Sequence, residues 1–305
     1  MEFFKQTTNI DFMGARKWTA LLSLLLFAFS LMALLVNGLH FGLDFTGGMQ
    51  IELHYQQPAD LTQIRNQLAQ AQFSDAVVQS YGTAEDIIVN VGLREGVDQE
   101  QLIQQITQAL PGATQRRVDF VGPQVGKELA TKGMLAILVA LLGTMIYIAL
   151  RFEYRFAISS AVALIHDPIL ILGIFALLRI EFDLKALAAL LAVIGYSLND
   201  TIVVFDRVRE NFRNMRKASP VEVMNAAINQ TLSRTIMTSA STLVVVLALF
   251  FYGGELIHGF ALAFLIGIVI GTYSSIYVAG ALAIAMGLSR KDLIAVPKAE
   301  LDDMP

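Results

Sequence analysis

Residues 195–211 read GYSLNDTIVVFDRVREN, and they decide how the rest of the chain is interpreted. The first part has the apolar composition of a membrane-spanning helix but contains Asp200, whereas the part from Asp206 onward is charged and belongs in water. An ionisable residue at membrane depth costs roughly 2.5–3.5 kcal/mol, so it indicates a proton relay, an ion path or a partner for a buried cation. The alternative is that Asn199 and Thr201 satisfy Asp200, which then only holds helices together.

The composition is that of a multi-pass α-helical membrane protein with one water-soluble domain. Hydrophobic residues make up 55% of the 305 residues and charged residues only 16%. The apolar residues form segments near the ~20 residues that cross the ~30 Å hydrocarbon core. There is no cysteine, which excludes disulfide and thiol chemistry. The predicted transmembrane helices are residues 18–38, 131–150, 156–178, 185–206, 234–254 and 257–288.

Basic residues in short loops predict the orientation, because they favour the cytoplasmic side. Four basic segments share one side if both termini are cytoplasmic, and their residues are Lys5, Arg16, Lys17, Arg151, Arg155, Arg207, Arg209, Arg213, Arg216, Lys217, Arg290, Lys291 and Lys298. The opposite short loops contain only Arg179 and Lys185. Residues 1–17, 207–233 and 289–305 are therefore predicted to be cytoplasmic, and residues 39–130 periplasmic. The first apolar segment is too long for a signal peptide and lacks a cleavage pattern.

Residues 39–130 are predicted to fold as a small external α+β domain. Residues 49–55 alternate as a half-buried strand does, and residues 76–80, 87–91 and 117–121 also read as strands. Asp60 and Asp98 each precede an amphipathic helix as a predicted cap. The order βαββαβ is typical of the ferredoxin-like fold.

The external domain contains no pattern that indicates catalysis or metal binding. It has no paired carboxylates and no phosphate-binding loop, and its histidines stand alone. The unusual local motif is residues 42–48, with Gly42, Asp44, Gly47 and Gly48. We interpret it as a tight turn into the domain, in which glycines adopt positive φ. Such a domain suits binding or mechanical coupling better than chemistry.

These residues together resemble the SecD/SecF family, and specifically the SecF subunit of the SecDF protein-translocation complex in the resistance-nodulation-division (RND) superfamily. The resemblance covers nearly the whole chain: the N-terminal helix, the 42–48 turn, the small external domain, the 195–211 motif, and residues 231–235 at the start of the fifth helix. It implies six helices that form half of a pseudo-symmetric twelve-helix unit. It also implies use of the proton gradient, with no cofactor, to help exported polypeptides leave the Sec translocation channel together with a SecD-like partner in the bacterial inner membrane. Pro168 departs from the family pattern and predicts a kink that frees a backbone carbonyl.

Asp200 and Arg234 are predicted to act as a proton-coupling pair. Asp200 lies six residues, or roughly 9 Å, inside the point where the fourth helix leaves the membrane. Arg234 begins the fifth helix, and its long side chain reaches along the axis. A guanidinium favours an ionised carboxylate while burial favours the neutral acid, so a small packing change alters proton binding. The alternative is that Arg234 only anchors the helix end.

Other polar residues within the predicted helices either take part in proton transfer or have a purely structural role. His166 and Asp167 form either a relay element or a mutually satisfied pair. Hydroxyls after Arg234, including Thr238, serve either close helix packing or a water-lined proton route. Ser197, Asn199 and Thr201 surround Asp200 in sequence. Asn225 and Asn229 lie in a predicted amphipathic surface helix.

Three functions follow, and the first fits best. The first is a proton-driven accessory subunit of protein export, without covalent chemistry and without nucleic acid as a partner. The second is an RND-type small-molecule exporter, which would need a larger external pocket domain. The third is a non-catalytic membrane scaffold, which would not need titratable residues within the membrane.

Overall fold

The computed structural model describes residues 8–92 and 98–289. Four of the basic residues from which the orientation is predicted, Lys5, Arg290, Lys291 and Lys298, lie outside these ranges. Within the described residues, six helical spans are long and apolar enough to cross a membrane, as predicted. They are α1 (Arg16–Asn37), α5 (Pro123–Arg151), α6 (Tyr154–Leu178), α7 (Leu184–Asn214), α8 (Pro220–Tyr252), and α9 (Glu255–Ser274), which continues through a π-helical turn (Ser275–Ala279) into α10 (Gly280–Ala285).

Two helices begin before the predicted spans because local signals at their N-termini extend them, and α7 continues past its predicted end to Asn214. α5 begins at Pro123, where proline has the fixed φ that suits the first helical position. α8 begins at Pro220, and Ser219 and Glu222 form a reciprocal capping box. The predicted cytoplasmic segment 207–233 is therefore the end of α7, a short turn and the start of α8. Its predicted surface helix packs into the bundle, since Val223 and Met224 are fully buried.

Pro168 lies inside α6 without ending it. The helix continues from Tyr154 to Leu178, and the residues around the proline are buried. A proline in a helix interior removes one backbone hydrogen bond, and neighbouring helices, hydroxyls or water make this tolerable in membrane proteins. The helix is therefore continuous through Pro168 and carries His166 and Asp167 at its centre.

The external domain has the predicted βαββαβ order. Its elements are β2 (Gly48–His54), α3 (Leu61–Gln70), β3 (Val77–Tyr81), β4 (Thr83–Val91), α4 (Gln99–Ala109) and β5 (Thr114–Val121). The sheet order β3-β4-β2-β5, with every pair antiparallel, is the ferredoxin-like one. The Asp60 carboxylate accepts from the backbone of Thr62 and Gln63 as predicted, whereas Asp98 occupies the cap position without a side-chain hydrogen bond.

Alternation in β2 builds the domain core. Met49, Ile51 and Leu53 are buried on one face of the sheet, where they pack against Ile64 and Leu68 of α3. Leu102 and Ile106 of α4 complete this core from the second helix. β5 is an edge strand and is polar along most of its length, a pattern that discourages pairing with other chains.

Two short elements join the domain to the helix bundle. β1 (His40–Phe41) follows α1 and pairs in parallel with β6 (Glu181–Phe182), which lies between α6 and α7. The one-turn helix α2 (Leu43–Thr46) then leads into β2. The connection is therefore a piece of hydrogen-bonded structure and not a free linker.

The bundle is centred on α7, and glycines allow its close approach to α9. A Cβ atom at Gly267 would collide with the Val193 side chain, and one at Gly271 would lie 2.9 Å from the Ser197 Cβ. Interfaces between membrane helices commonly use such small residues, because packing rather than the hydrophobic effect holds helices together in lipid. The position of Ser197 thus depends on the absence of a side chain at Gly271 of α9.

Gly267→Ala should destabilise the bundle even though alanine is the better helix former. The added methyl group overpacks the contact with Val193, which typically costs about 1–3 kcal/mol. The matched control is Gly143→Ala in α5, where a Cβ meets no atom within 4 Å. The control should be neutral or gain about 0.5–1 kcal/mol. Thermal unfolding of both variants in detergent checks this, and equal midpoints would contradict the packing role of Gly267.

Candidate functional site

Asp167 of α6 is the centre of a buried polar cluster that joins three helices. Its side chain is about 1% exposed. The Ser197 hydroxyl of α7 and the Ser274 hydroxyl of α9 donate to its Oδ2 at 2.5 and 2.8 Å. His166 Nδ1 lies 3.0 Å from its Oδ1. A buried carboxyl group is tolerated where several hydrogen bonds satisfy it, and here the donors come from neighbouring helices.

A second layer of hydroxyls continues the cluster along α7 and α9. The Thr201 hydroxyl donates to Ser275 Oγ at 2.9 Å. Ser275 Oγ in turn lies 2.8 Å from the Gly271 carbonyl oxygen and 3.2 Å from that of Ser197, so it bonds back to both helices. Ser275 opens the π-helical turn, a local widening that is frequent at functional sites.

Ser274 and Ser275 were not among the predicted site residues. They are fully buried in a span that otherwise reads as uniformly apolar. The signal available in the sequence was a pair of adjacent serines shortly after Gly267 and Gly271, the two glycines at which α9 approaches α7. That signal is weak without the structure, because serines in membrane helices often bond only to their own backbone.

Asp200 lies one turn along α7 from Ser197 and is only 4% exposed. Unlike Asp167, it makes no side-chain hydrogen bond and no ion pair within the described residues. The two residues that flank Asp200 in sequence differ in their surroundings. Thr201 is buried in the cluster, whereas Asn199 is exposed. The structure thus contains two buried carboxyl groups that differ in their partners: Asp167 has two hydroxyl donors and the adjacent imidazole, and Asp200 has no hydrogen-bond donor within the described residues.

Arg234 is exposed on α8 and forms no ion pair with Asp200 among the residues described. The Thr238 hydroxyl donates to the α8 backbone, and one link crosses to α9, where Ser239 Oγ and Thr272 Oγ1 lie 3.0 Å apart. Asp200 and Arg234, the predicted proton-coupling pair, therefore make no direct contact in the part of the chain that the structure describes.

The 42–48 motif forms the predicted turn, with φ of 72° at Gly47 and 156° at Gly48. The structure adds a role for Asp44, whose Oδ2 accepts from the Leu184 backbone N–H at 3.0 Å. Asp183 accepts from Ala186 N at 2.8 Å, so two carboxylates cap the N-terminus of α7. Negative charge is favourable at a helix N-terminus. The helix that contains Asp200 is thus held at its other end by the external domain.

Glu181 makes a second contact between the domain and the bundle. The Gln79 side chain of β3 donates to its Oε2 at 3.3 Å, beside a cavity of about 150 Å³ that Asp44 and Asp183 also line. Burial, and to a smaller extent the negative charge of Asp183, raise the pKa of the Glu181 carboxyl above its ordinary value. A raised pKa means that this docked arrangement favours the protonated acid.

Docking of the external domain should weaken as the pH rises through the raised pKa of Glu181. Its stabilising contribution is present below the ordinary glutamate pKa and is lost above the raised one. Spin labels on cysteines at Gln63 in the domain and Tyr252 in the bundle would report the distance between the two parts. Glu181→Gln should remain docked at every pH, while the control Glu52→Gln should respond like the parent. An unchanged pH response in Glu181→Gln would contradict this assignment.

Comparison with known proteins places these features in one family. Residues 101–289 match the C-terminal region of the SecD/SecF protein export membrane proteins, and residues 33–59 match the SecD/SecF GG motif. The chain belongs to the SecD/SecF family. It is 49% identical to a protein translocase subunit SecF from Vibrio alginolyticus, over 100% of this chain and 99% of the relative. It is 47% identical to SecF from Pseudomonas aeruginosa, over 97% and 98% of the two chains.

Solved structures of SecDF show the same architecture. SecDF from Thermus thermophilus, a translocon-associated membrane protein, is 36% identical with a TM-score of 0.83, over 93% of this chain and 40% of that one. SecDF in a super-membrane-facing form has the same identity and coverage with a TM-score of 0.72. The chain therefore has the RND-type fold of the SecF half and spans less than half of the SecDF chain. The prediction of a SecF-type membrane subunit is confirmed.

Proposed function

We propose that this chain is the SecF-type subunit of a protein-export complex and couples proton movement through its helix bundle to movement of its external domain. The observation that carries the proposal is the arrangement of α7. One helix contains the buried Asp200 and contributes Ser197 to the Asp167 cluster, and its N-terminus is capped by Asp44 of the external domain. Of the three functions considered from the sequence, the similarity to translocase subunits favours this one.

Asp200 is proposed to carry the proton and Arg234 to set when the proton is released. Two influences act on the carboxyl group in opposite directions: burial without a donor, and the nearby positive charge of Arg234. A change in the distance between α7 and α8 alters their balance. The Asp167 cluster would act as the fixed point against which α7 moves, because two hydroxyl donors and the His166 imidazole hold the Asp167 carboxyl group in place.

The available energy suits this kind of motion. Each charge that crosses 100 mV releases roughly 2.3 kcal/mol. That is comparable to the net contribution of a hydrogen bond to a charged group, which is about 1.5–3 kcal/mol. The energy of one proton is therefore of the size needed to exchange a contact such as Leu184 to Asp44. The two SecDF structures, which differ in TM-score at equal identity and coverage, support more than one arrangement of this unit.

The proposed partners follow from the fold and the relatives. The chain corresponds to 40% of the SecDF chain, so we propose that a separate SecD-like subunit completes a twelve-helix unit. The Sec channel and the exported polypeptide would be the further partners. The basic loops favour cytoplasmic termini, with the external domain on the outer face of the bacterial inner membrane, where it would act on the emerging polypeptide.

Asp200→Asn should abolish support of export while leaving the protein in the membrane at normal levels. The amide keeps the shape of the side chain but cannot bind and release a proton near neutral pH. The measurement is secretion of a reporter protein by cells that contain only the variant subunit, with secretion expected to fall to the level of cells without it.

The matched control is Glu210→Gln on the same helix, an exposed glutamate that forms an ion pair with Arg207 three residues away. This variant should secrete normally, because exposed ion pairs contribute little. Normal secretion by Asp200→Asn at normal subunit levels would remove Asp200 from the coupling role.

Tying the external domain to the bundle should stop export reversibly. Cysteines at Gln79 and Glu181, whose side chains are hydrogen-bonded in the structure, would be joined by a reducible bis-thiol linker. The chain contains no other cysteine to compete. Export should fall when the link forms and return on reduction, because the domain can no longer move relative to α7.

Each single-cysteine variant treated with the same linker serves as the control for chemical modification alone. Full export with the double variant shown to be linked would mean that domain movement is not part of the mechanism.

A further inference from the structure

A groove on the outside of the bundle lies beside the polar cluster of the mechanism proposed above. It lies between α1, α6 and α10 and has a volume of about 830 Å³, within the ~300–1,000 Å³ typical of small-molecule sites. Leu24, Val162 and Ile165 line it and are themselves exposed, so the groove opens toward the surface that faces lipid. Most of its other lining residues are also apolar.

One end of the groove is basic. Arg16 and Lys17, at the start of α1, line this end. Neither side chain is paired with a carboxylate within the described ranges; the Arg16 guanidinium donates to the Met13 carbonyl at 2.9 Å. Since α1 spans the membrane from Arg16, these charges lie at the level of the lipid headgroups. Paired with an apolar groove, they match a molecule with an anionic head and a hydrocarbon tail.

The groove extends to the middle of the bundle. The length of α1 between Arg16 and Phe27, which lies at the inner end of the groove, is roughly 16 Å at 1.5 Å per residue. Phe27 is stacked parallel to His166, with ring centroids 6.1 Å apart. Ser23, which lines the groove, lies 2.9 Å from the hydroxyl of Tyr273, and that hydroxyl donates to the Thr19 carbonyl at 2.8 Å.

His166 lies at the inner end of the groove. Its side chain is 6% exposed and lines the groove, and its Nε2 is buried without a hydrogen-bond partner. The other ring nitrogen is bonded to Asp167. The inner end of the groove is therefore directly connected to the polar cluster of the proposed mechanism.

We propose that this groove binds an anionic phospholipid of the surrounding bilayer. The phosphate group lies between Arg16 and Lys17, and an acyl chain fills the groove as far as Phe27. The bound chain holds Phe27 against His166 and so supports the orientation of the imidazole toward Asp167. The lipid acts as a structural ligand and takes part in no reaction. The binding itself does not rest on the proposed function, only on the location of the groove in a membrane.

The test is native mass spectrometry of the purified membrane complex after exchange into detergent with added phosphatidylglycerol or phosphatidylcholine. The parent protein should retain phosphatidylglycerol at least tenfold better, since each basic side chain near an anionic lipid contributes roughly fivefold in affinity. Arg16→Gln/Lys17→Gln should lose this preference. The matched control Arg213→Gln/Lys217→Gln removes two exposed basic residues that do not line the groove, and it should keep the preference.

A second variant tests the acyl-chain part of the site. Ala20→Phe places a ring in the groove from an exposed position on α1, so it should reduce retention of both lipids without disturbing the core. Equal retention of the two lipids by the parent, or an unchanged preference in Arg16→Gln/Lys17→Gln, would overturn the proposal. Failure of the groove to retain lipid because a partner subunit covers it would overturn it as well. Normal lipid binding together with active Asp200→Asn would refute the proposed function and leave this site standing.

Discussion

The constraint on which this structure depends is the cost of placing a carboxyl group in the middle of a membrane helix. Asp167 is almost completely buried, and it is satisfied by hydroxyls that α7 and α9 supply and by the adjacent imidazole. Those hydroxyls can reach it only because Gly271 lets α9 approach α7 at Ser197. The close approach of the helices and the small residues that allow it therefore both serve to supply hydrogen-bond donors to the Asp167 carboxyl group. If one donor moves, the carboxyl group loses a partner that lipid cannot replace.

Asp200 differs from Asp167 in this respect, and the difference matters for function. Asp167 bonds to Ser197, one turn along α7 from Asp200, but Asp167 has two hydroxyl donors whereas Asp200 has none within the described residues. A fully bonded group resists change, whereas a group without donors responds to the approach of a charge such as Arg234 or of water. The bundle thus combines a fixed polar junction with an adjustable site, which is what a conformational cycle requires.

Much of this was predictable from sequence because it rests on local patterns. Alternation in residues 49–55 predicted the central strand of the domain, and apolar runs bounded by basic residues predicted the membrane helices. Asp167, Ser197 and Thr201 were correctly expected to lie within the bundle. The start of α8 was misplaced, because a capping box and a proline extend that helix beyond its apolar part. Ser274, Ser275 and the cap that Asp44 gives to α7 could not be predicted, since each depends on contacts between residues far apart in the chain.

The uninterrupted length of α7 has a geometrical consequence. From Asp200 to Leu184 the helix runs for sixteen residues, or roughly 24 Å, as one rigid rod. A rotation of only about 5° about Asp200 would shift the far end by about 2 Å at this length. That displacement is comparable to the 3.0 Å that separates Leu184 N from the Asp44 carboxylate. A small rotation of α7 about the buried acid is therefore large enough, at the opposite end of the helix, to release or re-form one of the bonds that join the bundle to the segment leading into the external domain.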